Sequence, residues 1–198
     1  MLENFWTYVN FGIEHVLDIK GYDHLLFLLV LAIPYVFKDW KRVLLLVTMF
    51  TCGHSLSLVM ASYGVVSVNG KLVEFLIPIT ILITAVYNVF TTGKKGRNNK
   101  ISLLFFTTLF FGLVHGLGFA RYLNMLAGQT ENKLEILIEF AIGIEIAQVI
   151  IVFVVLFLGF LCQTIFRISR RDWIMVISAI VIGLVIPILI QSELLNNV

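Results

Sequence analysis

The chain has 198 residues, 60% of them hydrophobic and 13% charged, with a mean hydropathy of +1.00. An average soluble domain carries about 25% charged residues, so an ordinary water-soluble fold is excluded. The formal charge of +2 is small, and the basic residues sit in short clusters between apolar runs rather than along one face, which excludes nucleic acid as a partner.

A lone strand would leave backbone groups unpaired in lipid, and the apolar runs lack the alternation of a barrel. The expected fold class is therefore all-α, a polytopic transmembrane helical bundle with the lipid bilayer as its solvent. No hydrophilic stretch is long enough for a second domain, so residues 1–198 form one integral membrane domain.

In chain order, residues 1–20 lack the basic region and continuous apolar core of a signal peptide, and no cleavage is expected. Phe5, Val9, Ile13 and Val16 recur at helical spacing while Asn10, Glu14 and Asp18 take other faces. This predicts an amphipathic helix that lies at the interface or re-enters the bilayer, with Trp6 and Tyr8 at headgroup depth.

Six spanning helices follow, because about 20 apolar residues cross a hydrocarbon core of about 30 Å. The apolar runs are Gly21 to Phe37, Val43 to Tyr63 and Leu72 to Thr92, which form the first group (21–92), then Ile101 to Ala120, Leu134 to Phe166 and Trp173 to Ile190, which form the second (101–190). The first run is short and the fifth long enough to tilt or project. Between the two groups, residues 93–100 make a basic cytoplasmic loop and the one flexible linker.

Basic residues favour cytoplasmic loops. Lys38, Lys41 and Arg42 fall in the first connection, Lys94, Lys95, Arg97 and Lys100 in the third, and Arg167, Arg170 and Arg171 in the fifth, leaving Lys20, Lys71, Arg121 and Lys133 for the other side. Both termini are expected outside a cytoplasmic (inner) membrane.

The four histidines, His15, His24, His54 and His115, all fall in or beside apolar runs. Ionisable groups at membrane depth are costly and mark function. At about 1.5 Å per residue, His54 stands roughly 17 Å and His115 roughly 21 Å above the cytoplasmic ends of their helices, and Glu145 about 13 Å up. Three helices would then deliver ligands to the middle and outer half of the bilayer, with Asp23 and His24 at the outer mouth. Gln148 follows Glu145 by three residues and shares its face.

Mixed imidazole and carboxylate donors suit a divalent transition metal, and nothing in the spacing selects nickel over zinc or cobalt. Protonated imidazole cannot ligate, so binding should weaken below about pH 6.5.

Plainer roles fit the same residues singly. Asp23 suits a helix cap, His15 an interfacial side chain, and His54 and His115 hydrogen bonds between helices. An unpaired Glu145 carboxylate is harder to explain that way, because it would be expensive to bury. Gly53, Gly112, Gly116, Gly118 and Gly143 cluster around these positions and let helices approach closely. Cys52 and Cys162 lie far apart in apolar segments and read as small hydrophobes. No nucleophile elbow, phosphate loop, HExxH or dinucleotide fingerprint is present.

Taken in order, the runs GIEHVLDIKGYDHLLFLL, FTCGHSLSLVMASYG, LVEFLIPITILITAVYNV, FGLVHGLGFA and FAIGIEIAQ resemble the HupE/UreJ family of bacterial membrane proteins over about Phe11 to Val152. The family's histidine and acidic motif positions correspond to His15, Asp23, His24, His54, His115 and Glu145. One departure is Ala141, where the motif leads us to expect Asn.

The resemblance implies a nickel permease or an accessory protein of hydrogenase or urease, with metalloenzyme maturation proteins as partners. The leading expectation is a secondary transporter that moves a divalent transition metal inward, without an ATP-binding motif. The alternatives are an intramembrane zinc-dependent hydrolase with Glu145 as base, and a non-catalytic accessory subunit or scaffold whose polar residues only fix helix packing.

Overall fold

The computed structural model describes residues 2–18, 21–93, 101–127 and 133–196. Lys20 and the third connection's Lys94, Lys95, Arg97 and Lys100 lie outside them, as does the side chain of Arg121.

Among the described residues every regular element is helical. The helices are α1 (Leu2–Leu17), α2 (Asp23–Ala32), α3 (Trp40–Ser62, preceded by a 3-10 turn at Phe37–Asp39), α4 (Gly70–Thr91), α5 (Ile101–Ala127), α6 (Lys133–Thr164), α7 (Arg170–Ile190) and the short α8 (Glu193–Asn196).

Four helices are long and apolar enough to cross a membrane: Phe37–Ser62, Gly70–Thr91, Lys133–Thr164 and Arg170–Ile190. Their outward faces are greasy. Ile142, Ile146, Ile150 and Phe157 on α6, and Val176, Ile180 and Leu184 on α7, are exposed at helical spacing, a pattern that only a lipid solvent makes affordable.

The first run, Gly21 to Phe37, is not one continuous helix: α2 has only 10 residues, about 15 Å of helix, and turns lead from it to the 3-10 turn at Phe37–Asp39. The cause is Pro34. It has no N–H to donate to the carbonyl four residues back, that of Val30. The Asn88 amide on α4 does so instead, with Nδ2 to Val30 O at 2.7 Å. Asn88 and Val30 are both buried, so a side chain replaces the missing backbone donor.

Of the two placements expected for α1, at the interface or re-entering the bilayer, the structure shows a helix packed along α6. Val9 and Val16 are fully buried. Gly12 and Gly143 bring the two backbones together so closely that a Cβ on Gly12 would strike the Phe140 carbonyl, and one on Gly143 that of Val9.

The same device seals α3 to α5. A Cβ on Gly53 would strike Leu109 O, one on Gly112 Phe50 O, and one on Gly116 both His54 O and Ser57 Oγ. Gly118 faces α4, where its Cβ would lie 3.0 Å from Ile77 Cδ1.

The bundle has two chemically distinct ends. At one, the first and fifth connections meet, since Arg170 Nη2 donates to Pro34 O and Arg42 stacks over Tyr35 at 5.6 Å. Arg171 lies beside Gly93, where α4 ends. At the other end Lys71 Nζ pairs with Glu193 Oε2 at 2.8 Å, tying α8 to the start of α4.

Candidate metal centre

Three helices from different parts of the sequence each contribute one imidazole to a single point. His15 comes from the last turn of α1, His24 from the first turn of α2 and His54 from the middle of α3. Each offers a ring nitrogen, and these atoms all lie within 4.8 Å of one another. Ring centroids stand 4.6 Å apart for His15 and His24, and 5.7 Å for His54 with either partner.

His115, from α5, packs 5.4 Å from His24. Its Nδ1 lies 2.8 Å from Phe111 O. A carbonyl only accepts, so Nδ1 carries the hydrogen and a neutral ring leaves the Nε2 lone pair free.

Hydrogen bonding gives the strongest sign that something belongs between these rings. His15 Nε2, both nitrogens of His24, both of His54 and Nε2 of His115 are buried without a hydrogen-bond partner. Leaving one such group unpaired costs about 1–3 kcal/mol, and native structures leave few. A neutral imidazole has one lone-pair nitrogen, so His15, His24 and His54 offer three donors within 4.8 Å of one another, a set for a ligand that takes lone pairs, and neutral imidazoles suit zinc, copper, iron and nickel.

Asp23 supports the set from beside it. Its Oδ1 accepts the His24 backbone N–H at 3.0 Å and stands 3.3 Å from His24 Nδ1. The ring contact is not a hydrogen bond, since His24 Nδ1 has no partner, so the carboxylate acts on that nitrogen chiefly as a charge.

Aromatic rings close the surroundings. Phe119 lies 3.8 Å from His15 and stacks on Phe140 at 5.1 Å. Phe50 and Phe27 flank His115 at 5.0 and 5.4 Å. They exclude water and hold the imidazoles in a low-dielectric pocket, where ligand–metal electrostatics act at full strength.

A cavity of about 270 Å³ reaches the surface beside this centre, lined by Gly21, Tyr22, Asp23, Glu74, Ile77 and Pro78 among others. Asp23 and Glu74 give it two carboxylates. Pro78 leaves the Glu74 carbonyl without its helical N–H partner, adding polarity to the same wall.

The structure gathers His15, His24 and His54 and sets His115 and Asp23 beside them, whereas depth arguments separate these residues. His15 and His24, expected at the outer mouth, stand with His54 in one group. Glu145, expected beside His54 and His115, is engaged elsewhere: Thr48 Oγ1 donates to its Oε1 at 2.6 Å, and Thr51 Oγ1 lies against its Oε2. Gln148 Oε1 is 3.0 Å from the same Thr51 hydroxyl. Gly116 and Gly118 have packing contacts only.

Thr48, Thr51 and Phe119 were missed. Thr48 and Thr51 share a helix face by their three-residue spacing, and that was the available signal for them. Phe119 gave none, being one of 17 phenylalanines.

No curated protein and no solved structure matches the chain. A family profile does match, over residues 1–192, nearly the whole length. This all-helical membrane protein belongs to the family described as HupE / UreJ protein.

Proposed function

We propose that the chain is a secondary permease for a divalent transition metal, nickel before cobalt or zinc, with His15, His24 and His54 as the central ligands. The observation that carries this reading is the convergence of buried, unpartnered imidazole nitrogens from three helices. Family membership supplies the preference for nickel and the suggestion of metalloenzyme maturation proteins as partners.

In this reading the carboxylate-lined cavity at Asp23 and Glu74 is the outer approach, and Asp23 attracts the cation toward His24. The imidazoles replace its water, and His115 Nε2, 5.4 Å away by ring centroid from His24, is the next donor on the way through. The basic end, with Arg42, Arg170 and Arg171, faces the cytoplasm of a bacterial inner membrane, and the end with Lys71 and Glu193 faces outward. The short α2 and the 27-residue α5 complete a six-helix membrane body around the centre, with α1 packed on α6.

A hydrolytic zinc site would use the same imidazoles but needs a carboxylate base at the metal-bound water. The expected base, Glu145, is held by two threonines instead, which weighs against that alternative. A permeation site must release its ion, whereas a catalytic metal stays through many turnovers. Proteoliposomes loaded with a metal-sensitive dye should therefore show saturable nickel uptake that His24→Ala and His54→Ala each abolish. Retention of near-stoichiometric zinc through chelator washing, with no metal passing, would overturn the permease reading.

A further inference from the structure

We infer that Thr48, Thr51, Glu145 and Gln148 form a second ion site, distinct from the imidazole centre, that takes a monovalent cation, sodium. The four residues face one another across the α3–α6 interface, inside two of the spanning helices.

The Thr51 hydroxyl has one hydrogen, yet its oxygen is surrounded by three acceptors: Glu145 Oε2, Gln148 Oε1 at 3.0 Å and Val47 O at 3.3 Å. The Thr48 hydroxyl supplies one more, to Glu145 Oε1 at 2.6 Å. The cluster is acceptor-rich and short of positive charge. Gln148 is fully buried and its Nε2 has no partner. Turning the amide over would let Nε2 donate to Thr51 and leave the amide oxygen without a partner, but it brings no positive charge to the Glu145 carboxylate. A cation bound among these oxygens supplies the positive charge that the carboxylate lacks.

Donor chemistry and charge select the ion. Two carboxylate oxygens, two hydroxyls and an amide carbonyl make an all-oxygen set, which suits a hard cation and contrasts with the nitrogen donors of the histidines. The set carries a single negative charge. One positive charge neutralises it, while a divalent ion would leave net charge in a low-dielectric interior. Oxygens already at 2.6 and 3.0 Å need to part only slightly for a small ion and much further for potassium. The Glu145 carboxylate is half-buried rather than sealed, so an ion has a way in.

Thr51 and His54 lie three residues apart on α3, about one turn, so occupancy of the oxygen site bears on the helix that presents a metal ligand. If the permease reading holds, sodium is the driving ion, and this last step alone rests on that reading.

Purified protein stripped of divalent metal is tested for equilibrium binding of radioactive sodium against a choline background. Saturable binding near one per chain is expected, with potassium a poor competitor. Thr51→Val and Glu145→Gln should abolish it, and Thr51→Ser should restore it. Nickel binding at the histidines, retained in Thr51→Val, shows that the variant folds. Absence of saturable sodium binding, equal displacement by potassium, or undiminished binding in both variants overturns the site. Nickel uptake is read separately in proteoliposomes with and without a sodium gradient. Sodium bound without effect on nickel uptake removes the coupling, and failure of all nickel uptake removes the permease reading while leaving the binding result intact.

Discussion

Replacing Asn88 by alanine should destabilise the protein through one carbonyl, and a second substitution should reverse the effect. Pro34 leaves Val30 O without a backbone donor, and the Asn88 amide fills the gap at 2.7 Å in a position 2% exposed. Asn88→Ala strands that buried carbonyl at a cost of about 1–3 kcal/mol, plus a smaller loss of packing. For chains of 150–250 residues each kcal/mol is worth roughly 2–4 °C in melting temperature, so a fall of about 2–12 °C is expected in detergent, read by circular dichroism. Pro34→Ala restores an N–H at the right place in the chain and lets α2 extend by a turn. The double variant should therefore recover about 1 kcal/mol relative to the sum of the single effects. Unchanged melting in Asn88→Ala would refute the capping role. A fall that Pro34→Ala fails to offset would show that Asn88 acts through packing instead.

The metal centre predicts a graded response. Structural zinc sites with four ligands are worth about 10–16 kcal/mol, or roughly 3 kcal/mol per ligand, so His54→Ala should weaken nickel binding by about 100-fold in titration calorimetry; an unchanged affinity would remove His54 from the site. Glu74→Gln should slow nickel uptake at low concentration while leaving equilibrium affinity intact, because Glu74 lines the approach and not the ligand group; equal losses in both measurements would contradict this. Single cysteines at Ile168 and Val68, with Cys52 and Cys162 replaced by serine, should label from the cytoplasmic and the outer side respectively, and labelling of both from one side would break the proposed orientation. The hydrogen bond from Lys71 holds the Glu193 carboxyl below its usual range. The tether of α8 should therefore persist above the ordinary carboxylate range and be lost as pH falls through the depressed one, seen as faster amide exchange at 193–196; exchange protection insensitive to acid and to salt would rule the tether out.

The sequence carried the helical class and the boundaries of the long helices well, because apolar length is a signal summed over 20 or more residues and caps such as Asn69 and Ser169 punctuate it. It gave no sign that the helix in the first run stops after 10 residues, because continuous hydrophobicity from Leu25 to Ile33 hides the effect of one proline, whose consequence depends on a partner 54 positions away, Asn88. Glu145 shows a second limit. Depth along a helix was estimated well enough to put it near the middle of the bundle, but depth carries no angle. Which neighbour a carboxylate meets depends on the rotation of α6 against α3, and that rotation is fixed by the Gly12–Gly143 contact with α1, a pairing between segments about 130 residues apart in sequence.

Asp23 shows why a cap and a functional residue could not be told apart from the sequence. The N-terminal end of a helix carries roughly half a positive charge, and α2 begins at the point where His24 meets His15 and His54. A bare helix start would repel a cation there. Asp23 accepts the His24 N–H as acidic residues at helix starts do, and the same carboxylate offsets the helix charge and adds an anion 3.3 Å from the His24 ring. The local and the functional requirement thus fall on one side chain. Asn in its place would keep a backbone acceptor but lose the charge, so Asp23→Asn should leave melting close to wild type while lowering nickel affinity about 10-fold, the lower end of what removing a supporting partner of a metal-ligating histidine costs. A large loss of stability with unchanged affinity would reduce Asp23 to a cap.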